Sequence, residues 1–82
     1  MAIRLVLADD HPVVREGFKA LLERQGFQVV GEASNGQEAV ELARKLRPEV
    51  AVLDLAMPIL NGLDAGQRVK AVLPAVKLVI RP

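Results

Sequence analysis

The sequence predicts an α/β fold, a parallel sheet with helices on both faces. Three observations predict it. Four short aliphatic runs, Ile3–Ala8, Phe27–Val30, Val50–Leu53 and Val76–Ile80, read as buried strands. Helix-patterned stretches separate them, giving the order β-α-β-α-β-α-β, and such alternation requires parallel strands joined by right-handed crossovers. The 82 residues are 51% hydrophobic, which excludes a disordered composition and suffices for one domain with a small core.

Each element has a local reason. Ile3–Ala8 is continuous, β-branched and aliphatic, and it ends in acid. Pro12 opens the first helix, where a missing N–H does no harm. Val14, Phe18, Leu21 and Leu22 follow at i, i+4, i+7 and i+8 and form one apolar face; Gly26 stops the helix. Phe27–Val30 is the second strand, closed by Gly31, and Gly31 and Gly36 read as turn residues because no glycine-rich fingerprint surrounds them. Asn35 is placed as the next N-cap, with Glu38 as its capping-box partner. Ala39, Leu42, Ala43 and Leu46 share a helical face, Lys45 and Arg47 suit the C-terminal end of the dipole, and Pro48 ends the helix. Val50–Leu53 is the third strand. Asn61 and Gly62 mark a turn, and a third helix runs from about Leu63 to Val72 with Ala65, Val69 and Val72 inward. Gly66 weakens it by ~1 kcal/mol relative to alanine. Pro74 separates it from the fourth strand, Val76–Ile80. No repeat, linker or low-complexity segment interrupts the chain, so residues 1–82 read as one unit.

Composition excludes several function classes. Eleven basic and ten acidic residues give a net charge of +1, with the bases spread along the chain, against a nucleic-acid footprint. The absence of cysteine excludes thiolate metal sites and disulfides and fits a reducing, cytoplasmic compartment. No apolar run approaches membrane-spanning length. The N-terminal run is short and contains Arg4, which makes a poor signal peptide.

The chemistry is carried by acids at strand ends. Asp9 and Asp10 follow the first strand, and Asp54 follows the third. Ligands of open parallel sheets bind at the C-terminal strand ends, near the point where strand order reverses. If strands one and three are neighbours, three carboxylates meet there, repel one another and gain from a shared cation. Oxygen ligands favour Mg²⁺ or Mn²⁺. A carboxylate beside such an ion is a nucleophile toward phosphorus. Asp54, alone at its strand end, is the better nucleophile; Asp10 is the better direct ligand, with Asp9 acting partly through water. The alternative is that these acids only terminate strands and cap helices, Asp10 capping the helix at Pro12; the pair after strand one together with the lone acid after strand three favours the site. His11 reads as a solvated residue ahead of the helix. Pro58 and Gly62 shape the loop after Asp54, proline by fixing φ and glycine by permitting an unusual one. Met57 belongs to either core or loop.

The runs Ile3-Arg4-Leu5-Val6-Leu7-Ala8-Asp9-Asp10-His11, Glu32-Ala33-Ser34-Asn35-Gly36-Gln37-Glu38-Ala39 and Asp54-Leu55-Ala56-Met57-Pro58 with Gly62 resemble the receiver domain of bacterial two-component response regulators. The Asp-Asp-His-Pro and Gly-Glu-Ala-Ser-Asn-Gly segments are similar to the subgroup with a LuxR-type helix-turn-helix output. The resemblance implies a flavodoxin-like (CheY-like) fold with strand order 2-1-3-4 and normally a fifth strand. It implies phosphorylation of Asp54 by a histidine kinase, and Mg²⁺ organised by Asp9, Asp10, Asp54 and the Ala56 backbone carbonyl, with Met57, Pro58 and Gly62 shaping the loop.

Departures accompany the resemblance. The family's hydroxyl residue at the end of strand four aligns near Pro82, where Arg81-Pro82 stands instead. Lys77 lies at the wrong end of strand four to replace the family's lysine. The chain reads as a partial receiver, 1–82, cut after its fourth strand, lacking the fifth strand, the last two helices and an output domain. From this follow three expectations: impaired switching, self-association through an exposed edge strand, and retained Mg²⁺ binding. The rival readings are an assembly or interaction fragment that is never phosphorylated, and an aspartate-based phosphatase. The second is disfavoured because Ala56 stands where such enzymes carry a second aspartate.

Overall fold

The chain threads β1 (Arg4–Ala8), α1 (Pro12–Arg24), β2 (Gln28–Ala33), α2 (Gly36–Leu46), β3 (Val50–Asp54), α3 (Gly62–Val72) and β4 (Lys77–Arg81). A computed structural model describes residues 2–82. All strand pairs are parallel and the order is β2-β1-β3-β4, the arrangement expected from the sequence. β1 and β3 are central neighbours in continuous register from Leu5↔Val50 to Ala8↔Leu53.

Period-two alternation divides the strand residues between two cores. Leu5, Leu7 and Val52 face α1 and pack with Phe18, Leu22, Phe27, Val29 and Val50. Ala8, Ala51 and Leu53 face α2 and α3 and pack with Ala39, Ala43, Ala65 and Val69, with Leu78 and Ile80 at the margin. Alanine dominates where α2 and α3 approach the sheet. Gly66 belongs to the same economy of volume: a Cβ there would lie 3.2 Å from Leu78 and 3.5 Å from Ile80, so its helix-weakening effect accompanies close seating of α3 on β4.

Helix ends follow their local signals. Asn35 Oδ1 accepts from the Glu38 N–H at 2.9 Å. The Glu38 carboxylate, however, accepts from the Ser34 N–H and hydroxyl at 2.8 and 2.9 Å, one residue earlier than a standard capping box. Gly26 ends α1 at φ +98°, donating to Glu23 O at 3.0 Å.

Several expectations need correction. β2 continues through Gly31 to Ala33 rather than ending at Val30. Gly31 is therefore a strand residue, bare because Leu46 and Leu42 fill the space a Cβ would take. Gly36 is the first residue of α2, not a turn residue, and lies against the Leu60 carbonyl. Asn61 is an N-cap, accepting from the Asp64 N–H at 2.9 Å, and Gly62 is already helical. β4 is shifted by one residue and includes Arg81. On α1, Phe18 and Leu22 pack inward, but Val14 and Leu21 are about half exposed, because α1 spans only part of its face and leaves Val79 on β4 uncovered there.

Candidate functional site

Parallel pairing of β1 with β3 brings both acidic strand ends to one rim. Asp9 is fully buried, its N–H donating to Ala33 O at 3.0 Å. Asp54 closes β3 and is 6% exposed; Asp10 turns outward from the same rim, its side chain 28% exposed. One ligand atom from each of Asp9, Asp10, His11 and Asp54 lies within 4.8 Å of the others. The sequence-derived acids are thus brought together.

Their hydrogen bonding is unequal. Asp9 Oδ1 accepts from the His11 N–H at 2.8 Å, and Asp9 Oδ2 accepts from the Arg81 guanidinium. Asp54 Oδ1 has one long bond, from the Ala56 N–H at 3.4 Å. Asp10 Oδ1 is buried without a hydrogen bond of acceptable geometry; His11 Nδ1 lies 3.0 Å away. A buried carboxylate oxygen lacking a donor is costly. A hard divalent cation offers the charge and oxygen preference that such a donor set lacks. The residues present fit the ion implied by their chemistry.

The loop after Asp54 is held by close backbone contacts. Leu55 donates to Arg81 O at 2.8 Å, and Gly62 donates to Leu55 O at 3.0 Å. A Cβ at Gly62 would lie 2.4 Å from the Asp54 carbonyl oxygen. This close approach, rather than an unusual φ, is why glycine stands there; the positive φ of the loop belongs to Ile59, at 69°. Leu60 N–H donates to Pro58 O at 2.7 Å across Ile59, a γ-turn of the rarer, strained hand. Met57 is buried in the α2/α3 core, so it anchors the loop, while Pro58 is exposed. Ala56 reaches the site through its N–H.

Three residues join the site beyond the acids, the first being Arg15, whose Nη1 donates to the Asp9 carbonyl oxygen at 2.7 Å. His11 is exposed, as a solvated residue would be, yet its Nδ1 lies 3.3 Å from Asp9 and 3.0 Å from Asp10. Arg81 pairs in register with Asp54 across β3 and β4 and reaches over to Asp9. Extending the fourth strand by one residue would have placed Arg81 on the acidic rim; ending it at Ile80 concealed the connection.

A parallel open sheet with a carboxylate cluster at the C-terminal ends of its central strands has the layout that the receiver resemblance implies. The chain belongs to that family: the model described as the response regulator receiver domain matches residues 5–81. It is 38% identical over 79 residues to the transcriptional regulatory protein LnrK of Bacillus subtilis, covering 95% of this chain and 36% of LnrK. It is 35% identical over 80 residues to the chemotaxis protein CheY of Thermotoga maritima, covering 98% and 67%. The crystal structure of a LuxR-family two-component response regulator from Aurantimonas sp. SI85-9A1 superposes with a TM-score of 0.92 at 38% identity, covering 98% of this chain and 58% of that one. The chain thus spans little more than a third of LnrK. Among the described residues, no helix is long and apolar enough to cross a membrane.

Proposed function

We propose that this receiver accepts a phosphoryl group from a histidine kinase on Asp54. The observation that carries the reading is the meeting of Asp9, Asp10 and Asp54 within 4.8 Å on one strand-end rim. An Asp54 carboxylate oxygen attacks phosphorus, the bond from phosphorus to the kinase imidazole breaks, and an acyl phosphate forms on Asp54. We assign Asp10 and Asp54 as direct ligands of Mg²⁺, with Mn²⁺ as a substitute, Asp9 acting partly through water and the Ala56 carbonyl completing the protein's share. When bound, the ion supplies charge neutralisation for both the carboxylates and the incoming phosphoryl oxygens. Gly62 and Met57 hold the loop, and Pro58 leads into its turn.

Residues 1–82 act in this reading as one cytoplasmic receiver unit, with no nucleic-acid contact of its own. Any catalysis is limited to its own phosphorylation and dephosphorylation. Labelling is slow and switching impaired, because Arg81-Pro82 replaces the hydroxyl that the family brings to the phosphoryl group. The 82-residue chain self-associates through β4, an outer strand of the sheet.

Acetyl phosphate labelling with and without Mg²⁺ tests the assignment. Wild type takes up one phosphoryl group and Asp54→Asn takes up none; undiminished label on the variant means another acceptor. Light scattering at micromolar concentration tests self-association, and a clean monomer contradicts it. The second reading, an interaction module that is never phosphorylated, draws on Arg81 already partnering Asp9. A wild-type chain refractory to every phosphodonor favours it.

A further inference from the structure

We propose that Arg81 is a tethered counter-cation of the acidic site, competing with the divalent ion for Asp9, so that ion loading frees the Arg81 side chain from the rim. The inference rests on the reading of the three acids as a divalent-cation site.

Both Asp9 oxygens are engaged internally, Oδ1 by the His11 N–H and Oδ2 by the Arg81 guanidinium. Among the described residues, Asp10 and Asp54 have no such cationic partner of fixed charge; Asp10 Oδ1 lacks even a well-formed hydrogen bond. Arg81 therefore offsets the charge of the most buried acid and leaves the other two underbonded. A divalent ion drawn to Asp10 and Asp54 meets a guanidinium already seated beside it. The two cations repel each other, and their competition is for the same Asp9 carboxylate.

Arg81 is placed to yield without disturbing the sheet. Its backbone is fixed by pairing with Asp54 and by accepting the Leu55 N–H at 2.8 Å. Its side chain is held less completely: Nε is buried without a hydrogen-bond partner, although a guanidinium offers five donors. Its guanidinium carbon lies over the Phe18 ring on α1, 4.9 Å from the centroid, a cation–π distance. Displacement from Asp9 therefore changes the environment of Phe18, and occupancy at the acids is relayed to the α1 face through one side chain.

Mn²⁺ binding to the 82-residue chain, followed by the electron paramagnetic resonance of the free ion, tests the competition. Arg81→Gln binds Mn²⁺ about tenfold more tightly than wild type, the scale expected on removing one partly screened unit charge beside the ion. Arg81→Lys, which keeps the charge, stays within about threefold of wild type, a difference under 1 kcal/mol. In wild type, Mg²⁺ titration shifts the Arg81 Nε–H and Phe18 ring proton resonances together, with one midpoint. Equal or weaker Mn²⁺ binding by a folded Arg81→Gln, while wild type binds, overturns the role of Arg81 and leaves the metal site standing. Binding by none of the three proteins overturns both. Should Arg81→Gln fail to fold, unchanged Arg81 and Phe18 resonances at saturating Mg²⁺ overturn the proposal from wild type alone.

Discussion

The two rims of the sheet treat charge in opposite ways. At the N-terminal rim, the Arg4 guanidinium donates to Arg47 O at 3.0 Å and Leu46 O at 2.6 Å, closing the end of α2. Glu49 accepts from the Arg4 N–H at 2.8 Å, and its own carbonyl accepts from Lys77 at 3.0 Å. These polar groups have partners from their own chain. At the C-terminal rim, Asp10 Oδ1 and Arg81 Nε are buried without partners, and Asp54 has a single 3.4 Å bond. The first rim spends its charges on holding the fold together. The second leaves carboxylates underbonded, which costs stability. The site is set apart less by its acids than by the donors those acids lack.

The largest expected effect is on the incomplete rim. Mg²⁺ at a hundredfold excess over its Kd stabilises the chain by about 2.7 kcal/mol, which for a domain this small raises Tm by roughly 10 °C or more. Asp10→Asn removes most of that rise. A thermal scan in which Mg²⁺ leaves wild type unmoved would dissolve the distinction between the rims.

Next in size is Gly62→Ala. Its Cβ would press on the Asp54 carbonyl at 2.4 Å, costing about 1–3 kcal/mol and weakening the Mg²⁺ response together. Gly17→Ala is the matched control, since nothing lies within 4 Å of its Cβ position; in mid-helix it stabilises by up to about 1 kcal/mol. Urea unfolding of both variants decides it, and comparable losses would mean that the close approach at Asp54 is of no consequence.

Arg4→Met perturbs the N-terminal rim. It leaves the Leu46 and Arg47 carbonyls without their donor, costing about 1–3 kcal/mol. The increment in Tm produced by Mg²⁺ stays as in wild type. A lost Mg²⁺ response would show the rims to be coupled.

The smallest effect concerns pH. The Ser34 N–H, and after it the Ser34 hydroxyl, hold the Glu38 carboxyl below its usual range. A carboxyl depressed in the folded state contributes stability that is present above its unfolded pKa and is lost as pH falls through the folded value. Glu38 is exposed, so the contribution is small. Urea midpoints compared between pH 7 and acid show a slightly weaker acid dependence in Glu38→Gln; an identical dependence means the cap is neutral.

Much of the fold was legible because its signals are local. Aliphatic runs, helical periodicity, the Asn35 cap and the Gly26 stop are each contained within a few residues, and they gave the element order and the acidic strand ends. The receiver motifs added the strand order and the site assignments. Misreadings fell where a distant segment decides a residue's role. Gly31 is bare because Leu42 and Leu46 pack on it, and Gly62 because the Asp54 carbonyl approaches it; Met57, which the sequence left open between core and loop, is buried with residues of α2 and α3.

Arg81 is the clearest division between the two levels. Local patterning alone shows that a fourth strand follows Pro74 and that acids end the first and third. Only tertiary pairing placed Arg81 opposite Asp54 and within reach of Asp9. Periodicity encodes which face of a strand is buried, but where the strand ends is decided by pairing with a neighbour far away in the chain, here Arg81 with Asp54. A shift of one residue separates a terminal charge in solvent from a cation inside the site.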